Sequence, residues 1–239
     1  MINISIVIPI LNEAKNIKLL IPKIAKEKKK LGLEKFEILI IDDNSEDNIE
    51  KVIINLKKKF KYVKLYIRKA KNKDLSKSCV FGFNKCSYNN ILVMDGDLQH
   101  HPKFIPDLIK KFSKKESDIV VGSRNLLTKK NEGLSFFRQA FSIILIFLIN
   151  LVLGNKTNDP MSGFFIFKKK IFLKNRRKMF IKGYKILADL IYSSDKNLKI
   201  HDVTIKFNRR IAGRSKMNLS ILIKLLFFIM IKFFKKIVK

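Results

Sequence analysis

Short, almost uninterrupted apolar runs rich in Ile and Val recur along the first half of the chain, and they constrain its fold more than any other feature. They are Ile4 to Ile10, Phe36 to Ile41, Val63 to Ile67, Ile91 to Met94 and Ile119 to Val121. Between them lie stretches with helical spacing: about Ala14 to Lys30, Asp47 to Phe60, Ser76 to Cys86 and Pro102 to Lys114. A strand with one wet face alternates polar and apolar residues, whereas one that is apolar throughout must be covered on both sides. Alternation of such strands with helices predicts a mostly parallel central sheet flanked by helices, the doubly wound α/β class. The 239 residues suffice for one sizeable core, and no Pro-, Gly- or Ser-rich linker or internal repeat divides them.

In such sheets ligands sit beyond the carboxyl ends of the strands. Acidic residues stand at those ends here. Asp95-Gly96-Asp97 follows Ile-Leu-Val-Met. Two carboxylates at i and i+2, on a turn leaving a buried strand, suit a hard divalent cation such as Mg²⁺. Gly96 is expected to let the backbone approach the ligand. Asp42-Asp43-Asn44-Ser45 follows the strand ending at Ile41. It reads either as nucleobase or ribose recognition or as a helix cap formed by Asn44 or Ser45. Pro9 to Glu13 is a third strand end, where Asn12 reads equally well as a cap.

After about residue 125 the pattern changes. Phe141 to Leu153 is strongly apolar, but as a helix it spans only ~20 Å against a hydrocarbon core of ~30 Å. It reads as a buried or interfacial helix. Leu219 to Val238 is longer but interrupted by Lys224, Lys232, Lys235 and Lys236, the pattern of a basic amphipathic helix lying on an anionic membrane surface, or of an ordinary packing helix.

Fifty-one Lys plus Arg against 20 Asp plus Glu give a formal charge of +31. An anionic partner is compatible with this, although most of the excess is Lys in scattered runs that read as solvated helix faces. A basic nucleic-acid-binding module is the reading from another class. Carboxylates at the strand ends argue against it, because they would repel a phosphate backbone. Arg is the rarer cation here, and its planar fork suits phosphate. Arg124, Arg138, Arg209, Arg210 and Arg214 therefore stand out, with Arg138 and Ser142 on one helix face at i and i+4. His100 and His101 are adjacent and cannot ligate a metal from one helix face, so they read as structural or pocket-lining. Cys79 and Cys86 read as small core residues in a reducing compartment. The N-terminus lacks the features of a secretory signal, which points to a cytoplasmic start.

The strings IVIPILNEAKNI, ILIIDDNSED, ILVMDGDLQHHPKFIPDLI, DIVVGSRN, DPMSGFFIFKK, KGYKILADLI and RRIAGRSKMN, in this order over residues 3 to 218, resemble family 2 glycosyltransferases of the GT-A fold. They are most similar to the dolichyl-phosphate mannose synthase and polyprenyl-phosphate branch. The resemblance implies a nucleotide-diphospho-sugar transferase domain over residues 1–218, with a nucleotide-sugar half at 1–125 and an acceptor half at 126–218. Residues 219–239 follow as the amphipathic helix.

The resemblance also implies roles. Pro9 and Glu13 line the nucleotide pocket, and Asp42 and Asp43 hold base and ribose. Asp95, Asp97 and Gln99 coordinate Mg²⁺ or Mn²⁺ on the donor diphosphate. Arg124, Arg138, Ser142, Arg210 and Lys216 bind phosphates, including that of the lipid acceptor, while the apolar helix after Arg138 flanks the isoprenoid. Asp95, Asp97, Arg124 and Arg210 would carry catalysis. The implied reaction moves a sugar, foremost mannose from GDP-mannose, onto a polyprenyl or dolichyl phosphate with inversion. It would run at the cytoplasmic membrane face, with or without a separate membrane-anchor subunit and without nucleic acid. Glucose or another sugar moving to undecaprenyl phosphate, or to a glycan, is the alternative.

Three positions depart from the common pattern: Leu11 replaces an aromatic, Asn72 to Ser76 replaces a Gly-rich stretch, and Asp189 replaces Glu. The chemistry separates the acceptors. A phosphate monoester, with its second pKa of ~6, is already ionised at pH 7 and needs no base. A sugar hydroxyl needs a carboxylate base, for which Asp159 is the candidate.

Overall fold

The computed structural model describes residues 2–124, 136–183, 185–208, 227 and 230, with the backbone alone for 136–142, 152 and 153. In chain order the elements are β1 (Ile4–Ile10), α1 (Ala14–Lys30), β2 (Phe36–Asp42), α2 (Ile49–Lys59), β3 (Val63–Ile67), α3 (Leu75–Lys85), β4 (Asn90–Val93), α4 (Ile105–Lys114), β5 (Ile119–Arg124), α5 (Phe136–Leu153), β6 (Phe165–Lys168), α6 (Lys169–Asn175), α7 (Ile186–Ser193) and β7 (Ile200–Ile205). They build one seven-stranded sheet in the order β3-β2-β1-β4-β6-β5-β7. All neighbours pair in parallel except β6, which runs antiparallel to both β4 and β5. The mostly parallel α/β sheet is therefore as expected, and it runs unbroken through both expected halves of the chain.

Central β1 explains the continuous apolar runs. Strand side chains alternate faces. Ile6 and Ile8 enter a core with Leu20 and Ile24 of α1 and Leu108 of α4. Val7 enters the opposite core with Cys79 and Phe83 of α3 and Leu190 of α7. Both cysteines are free and buried in this second core. Burial pushes the Cys79 thiol well up and that of Cys86 to about 12, so neither presents a reactive thiolate.

Two strands, β6 and β7, and two helices, α6 and α7, have no counterpart among the expected elements. Helix α2 begins at Ile49, two residues after the expected start at Asp47. The expected 141–153 helix starts at Phe136. Of the expected helix at 219–239, only Phe227 and Met230 fall among the described residues. No helix among the described residues is long and apolar enough to cross a membrane.

At the amino-end edge of the sheet, Glu37 is buried. Its Oε1 accepts from Ser5 Oγ and the Ser87 amide, each at 2.6 Å, and its Oε2 accepts from Lys64 Nζ at 2.7 Å. Burial opposes the charge, but Lys64 and these donors outweigh it and hold the carboxyl below its ordinary 4.5. A depressed carboxylate pKa gives stability that is present above the unfolded-state value and lost as pH falls through the folded one. Glu37→Gln should thus destabilise the fold by about 1–3 kcal/mol near neutrality. Urea unfolding should show that deficit shrinking toward about pH 4. A deficit that does not change with pH would contradict the assignment.

Candidate active site

Because β1, β2, β4, β5 and β7 point the same way, their carboxyl ends share one edge. Antiparallel β6 delivers its amino end, with residues 159–164 before it, to that same edge. A cleft of about 240 Å³ opens there. Among its lining residues are Pro9, Glu13, Asp43, Asp95, Gly96 and Asp97, each given a site role from the sequence.

Each of the three loops leaving β1, β2 and β4 contains one non-glycine residue in the left-handed region: Asn12 (φ 56°), Asn44 (φ 62°) and Leu98 (φ 63°). Asn tolerates this conformation. For Leu it is strained and must be imposed by the surroundings. The first two loops are laced together: the Asn12 amide donates to Ser45 Oγ at 2.7 Å, and Asn12 Oδ1 accepts from the Glu46 amide at 2.8 Å. Asn12, Asn44 and Ser45 therefore cap no helix, since α1 and α2 begin after Glu13 and Asn48.

The two adjacent aspartates after β2 part company. Asp42 accepts from the Ser45 amide at 3.0 Å and from the Ser45 hydroxyl, and it does not line the cleft. Asp43 does; it pairs with Arg68 and accepts from the Asp74 amide at 2.5 Å. Asp74 in turn caps α3 through the Lys77 amide at 3.1 Å and accepts from the Gly183 amide at 2.8 Å. Asp189 holds the same loop, accepting from the amides of Phe180 and Ile181 at 2.9 and 2.8 Å. Together these carboxylates set Lys185 into the cleft wall. Burial, then the nearby Arg124 charge, pushes the Lys185 ammonium down to about 8, so it remains cationic at pH 7.

Asp95 lies directly over Gly163: a Cβ there would stand 2.2 Å from its Oδ2. Gly96 lines the cleft, and its missing side chain also serves the core. A Cβ on it would fall 2.8 Å from Ile10 Cγ2, so its missing side chain lets the turn pack closely against the core. Asp97 is nearly buried, and its Oδ1 accepts from the Gln99 amide at 3.1 Å. Gln99 is outside the cleft lining, and its Nε2 donates to Asn208 O at 3.3 Å. Among the described residues no cluster of three or more acidic, His or Cys side chains stands ready to hold a metal unaided. Two carboxylates on a turn, one pressed into a glycine cradle, fit an open Mg²⁺ or Mn²⁺ site that draws its remaining ligands from substrate oxygens and water.

Arg124 forms a two-pronged ion pair with Asp159, Nε to Oδ2 at 2.6 Å and Nη2 to Oδ1 at 2.9 Å, and lies over the Phe207 ring. Asp159 is 0% exposed. Buried under a guanidinium and absent from the cleft lining, it is not placed to serve as the general base expected of it. Two of the Arg124 donors are likewise already committed. Arg138 and Ser142 lie on the first two turns of α5, where the backbone alone is described. Arg209, Arg210, Arg214 and Lys216 lie outside the described residues. Sequence reasoning missed Arg68, Asp74 and Lys185. The available signal for Lys185 was a lone cation between Gly183 and an apolar helix, hidden among 51 Lys and Arg.

A model of the family described as glycosyl transferase family 2 matches residues 5–175. A dolichol-phosphate mannosyltransferase from Pyrococcus furiosus is 34% identical over 216 residues, which cover 90% of this chain and 59% of that protein. The chain thus spans only 59% of that relative's length. A dolichol-phosphate mannosyltransferase from Mycosarcoma maydis is 27% identical over 227 residues, covering 93% of this chain and 76% of the relative. Among solved structures, glucosyl-3-phosphoglycerate synthase from Mycobacterium tuberculosis, in complex with Mn²⁺, UDP-glucose and phosphoglyceric acid, matches with a TM-score of 0.70. That match covers 98% of this chain and 79% of the other at 18% identity. It establishes the shared fold, the GT-A architecture.

Proposed function

The chain belongs to glycosyl transferase family 2, and from that premise we propose that it is a metal-dependent, inverting transferase carrying a sugar from a nucleotide donor to a polyprenyl phosphate at a membrane surface. Mannose from GDP-mannose is the favoured donor, on the strength of similarity to two dolichol-phosphate mannosyltransferases. In this reading residues 1–125 hold the donor, 126–218 the acceptor, and 219–239 lie on the cytoplasmic membrane face, with or without an anchoring subunit.

The observation that carries the proposal is how the carboxylates are used. Asp159, the group that would serve as base toward a hydroxyl acceptor, is locked to Arg124. A phosphate monoester needs no such base, because its second pKa of ~6 leaves it ionised at pH 7. Asp95 and Asp97 lie on the donor side of the same cleft. They would hold a Mg²⁺ or Mn²⁺ ion there with the donor diphosphate, and the chemistry such an ion would supply is charge neutralisation of the leaving nucleoside diphosphate. Gln99 joins that set through its carbonyl end, since its amide nitrogen is the end bonded to Asn208.

Lys185 adds a fixed cation toward phosphate from the opposite wall. Pro9 and Glu13 bound the nucleotide, and Asp43, steadied by Arg68, reads the base and ribose; Asp42 supports that loop from behind. Arg124, Arg138, Ser142, Arg210 and Lys216 gather the acceptor phosphate. Support for a lipid comes from α5, whose Ile144, Phe147 and Leu151 share one face and are 55%, 63% and 69% exposed.

The test is incorporation of label from several nucleotide sugars, with Mn²⁺ and dolichyl or undecaprenyl phosphate, into an organic phase. Mannose label from GDP-mannose entering that phase is the expected result. Label entering from another sugar alone would overturn the donor. No lipid label with any donor, alongside elongation of an oligosaccharide, would overturn the acceptor.

A further inference from the structure

His100 immediately follows the turn that carries Asp95 and Asp97, and it is 2% exposed. Its ring is stacked on Phe164 at 5.5 Å between centroids and meets Phe207 edge-on at 5.1 Å. The backbone of His100 bridges to Phe207, which fixes the ring's place. Within this apolar slot neither Nδ1 nor Nε2 has a hydrogen-bond partner. Buried polar atoms are rarely left so, and a Phe or Leu would fill the slot without that cost. The acidic atom facing the ring is Asp95 Oδ2, 3.4 Å from Nδ1. Asp95 is thus held between two neighbours, Gly163 below its carboxylate and the His100 imidazole beside it.

We propose that His100 is a positioning residue for the metal site: its Nδ1–H donates to Asp95 Oδ2 and fixes the orientation in which Asp95 meets the cation. The inference rests on the reading of Asp95 as a metal carboxylate. Hydrogen bonds at reactive sites are often long before the ligands arrive, as the 3.4 Å separation is here. Groups that orient a metal ligand commonly change metal affinity 10–100-fold when removed.

The experiment is Mn²⁺ titration of the full chain with GDP present, against a protein-free GDP baseline, followed by loss of the free-ion electron paramagnetic resonance signal. His100→Phe should keep the fold and weaken binding by about tenfold or more. His100→Asn places an amide N–H where Nδ1 stands and should stay within about threefold of the parent. His100→Gln, whose amide reaches the Nε2 position, should behave like the Phe variant. A folded His100→Phe protein with parental affinity overturns the inference, as does His100→Asn binding as weakly as His100→Phe. Should His100→Phe not fold, the Asn and Gln variants decide: parity between them overturns it. Asp95→Ala separates the two levels. Parental Mn²⁺ binding in Asp95→Ala defeats the metal reading itself, whereas weakened binding there with parental binding in His100→Phe defeats only the role of His100.

Discussion

Asp97→Asn should lower kcat/KM about 10³-fold, equivalent to roughly 4 kcal/mol of transition-state stabilisation. The substitution isolates charge from shape. Asp97 is 7% exposed, and the hydrogen bond it accepts from the Gln99 amide can be accepted equally by an Asn oxygen. The strained Leu98 turn therefore keeps its support, and Tm should hold. What is lost is one of two carboxylates on a turn where the described residues form no ligand cluster of three or more acidic, His or Cys side chains. Such a site cannot spare half its negative charge and still hold a divalent ion against the nucleotide phosphates. Initial rates with saturating Mn²⁺, alongside thermal unfolding, check this. Parental kcat/KM would remove Asp97 from the metal site.

Gly163→Ala is expected to lower activity about 100-fold, the scale on which a displacement of about 1 Å acts at a reacting centre. The added methyl would stand 2.2 Å from Asp95 Oδ2 and 2.5 Å from both Cγ and Oδ1. Since it cannot coexist with the carboxylate where it lies, one must move. Asp95 is the freer of the two, because its side chain is about a third exposed to the cleft. Residues 162–164 are anchored instead: Ser162 Oγ donates to Gly122 O at 2.7 Å and accepts from the Phe164 amide at 3.1 Å. The change should thus fall on Mn²⁺ affinity and rate rather than on Tm. Activity within about threefold of the parent would show that the position of Asp95 is immaterial, contrary to the tenfold and larger losses that misplaced ligands cause.

What could be read from the sequence follows the physics of burial. Of the first five strands, β1, β2, β4 and β5 lie inside the sheet, so their apolar runs are continuous, and amphipathic helices flank them; β3, at the edge, still shows as a short run of β-forming residues. β6 was hidden because it is four residues long and passes directly into α6 at Lys169, leaving no turn to mark its end. β7 was hidden because it is an edge strand whose His201, Asp202 and Thr204 break the apolar run. The acidic strand ends were visible because carboxylates at a sheet's carboxyl edge have few structural reasons to gather. Their individual duties were not. That Asp43 faces the cleft while Asp42 turns to Ser45 depends on the path of one loop, and that Asp159 is buried under Arg124 depends on antiparallel β6, which the sequence reading did not contain. The loop before Lys185 is held by Asp189 through Phe180 and Ile181, 9 and 8 residues away, and by Asp74 through Gly183, 109 residues away, a contact that no local pattern encodes.

The most direct test of the site is an anomalous-scattering difference map of crystals grown with Mn²⁺ and GDP. The expected result is a Mn²⁺ peak bonded to carboxylate oxygens of both Asp95 and Asp97, with the diphosphate completing its coordination and Lys185 on the phosphate side. A fully occupied nucleotide whose metal touches neither carboxylate, or a nucleotide bound away from this cleft, would contradict it.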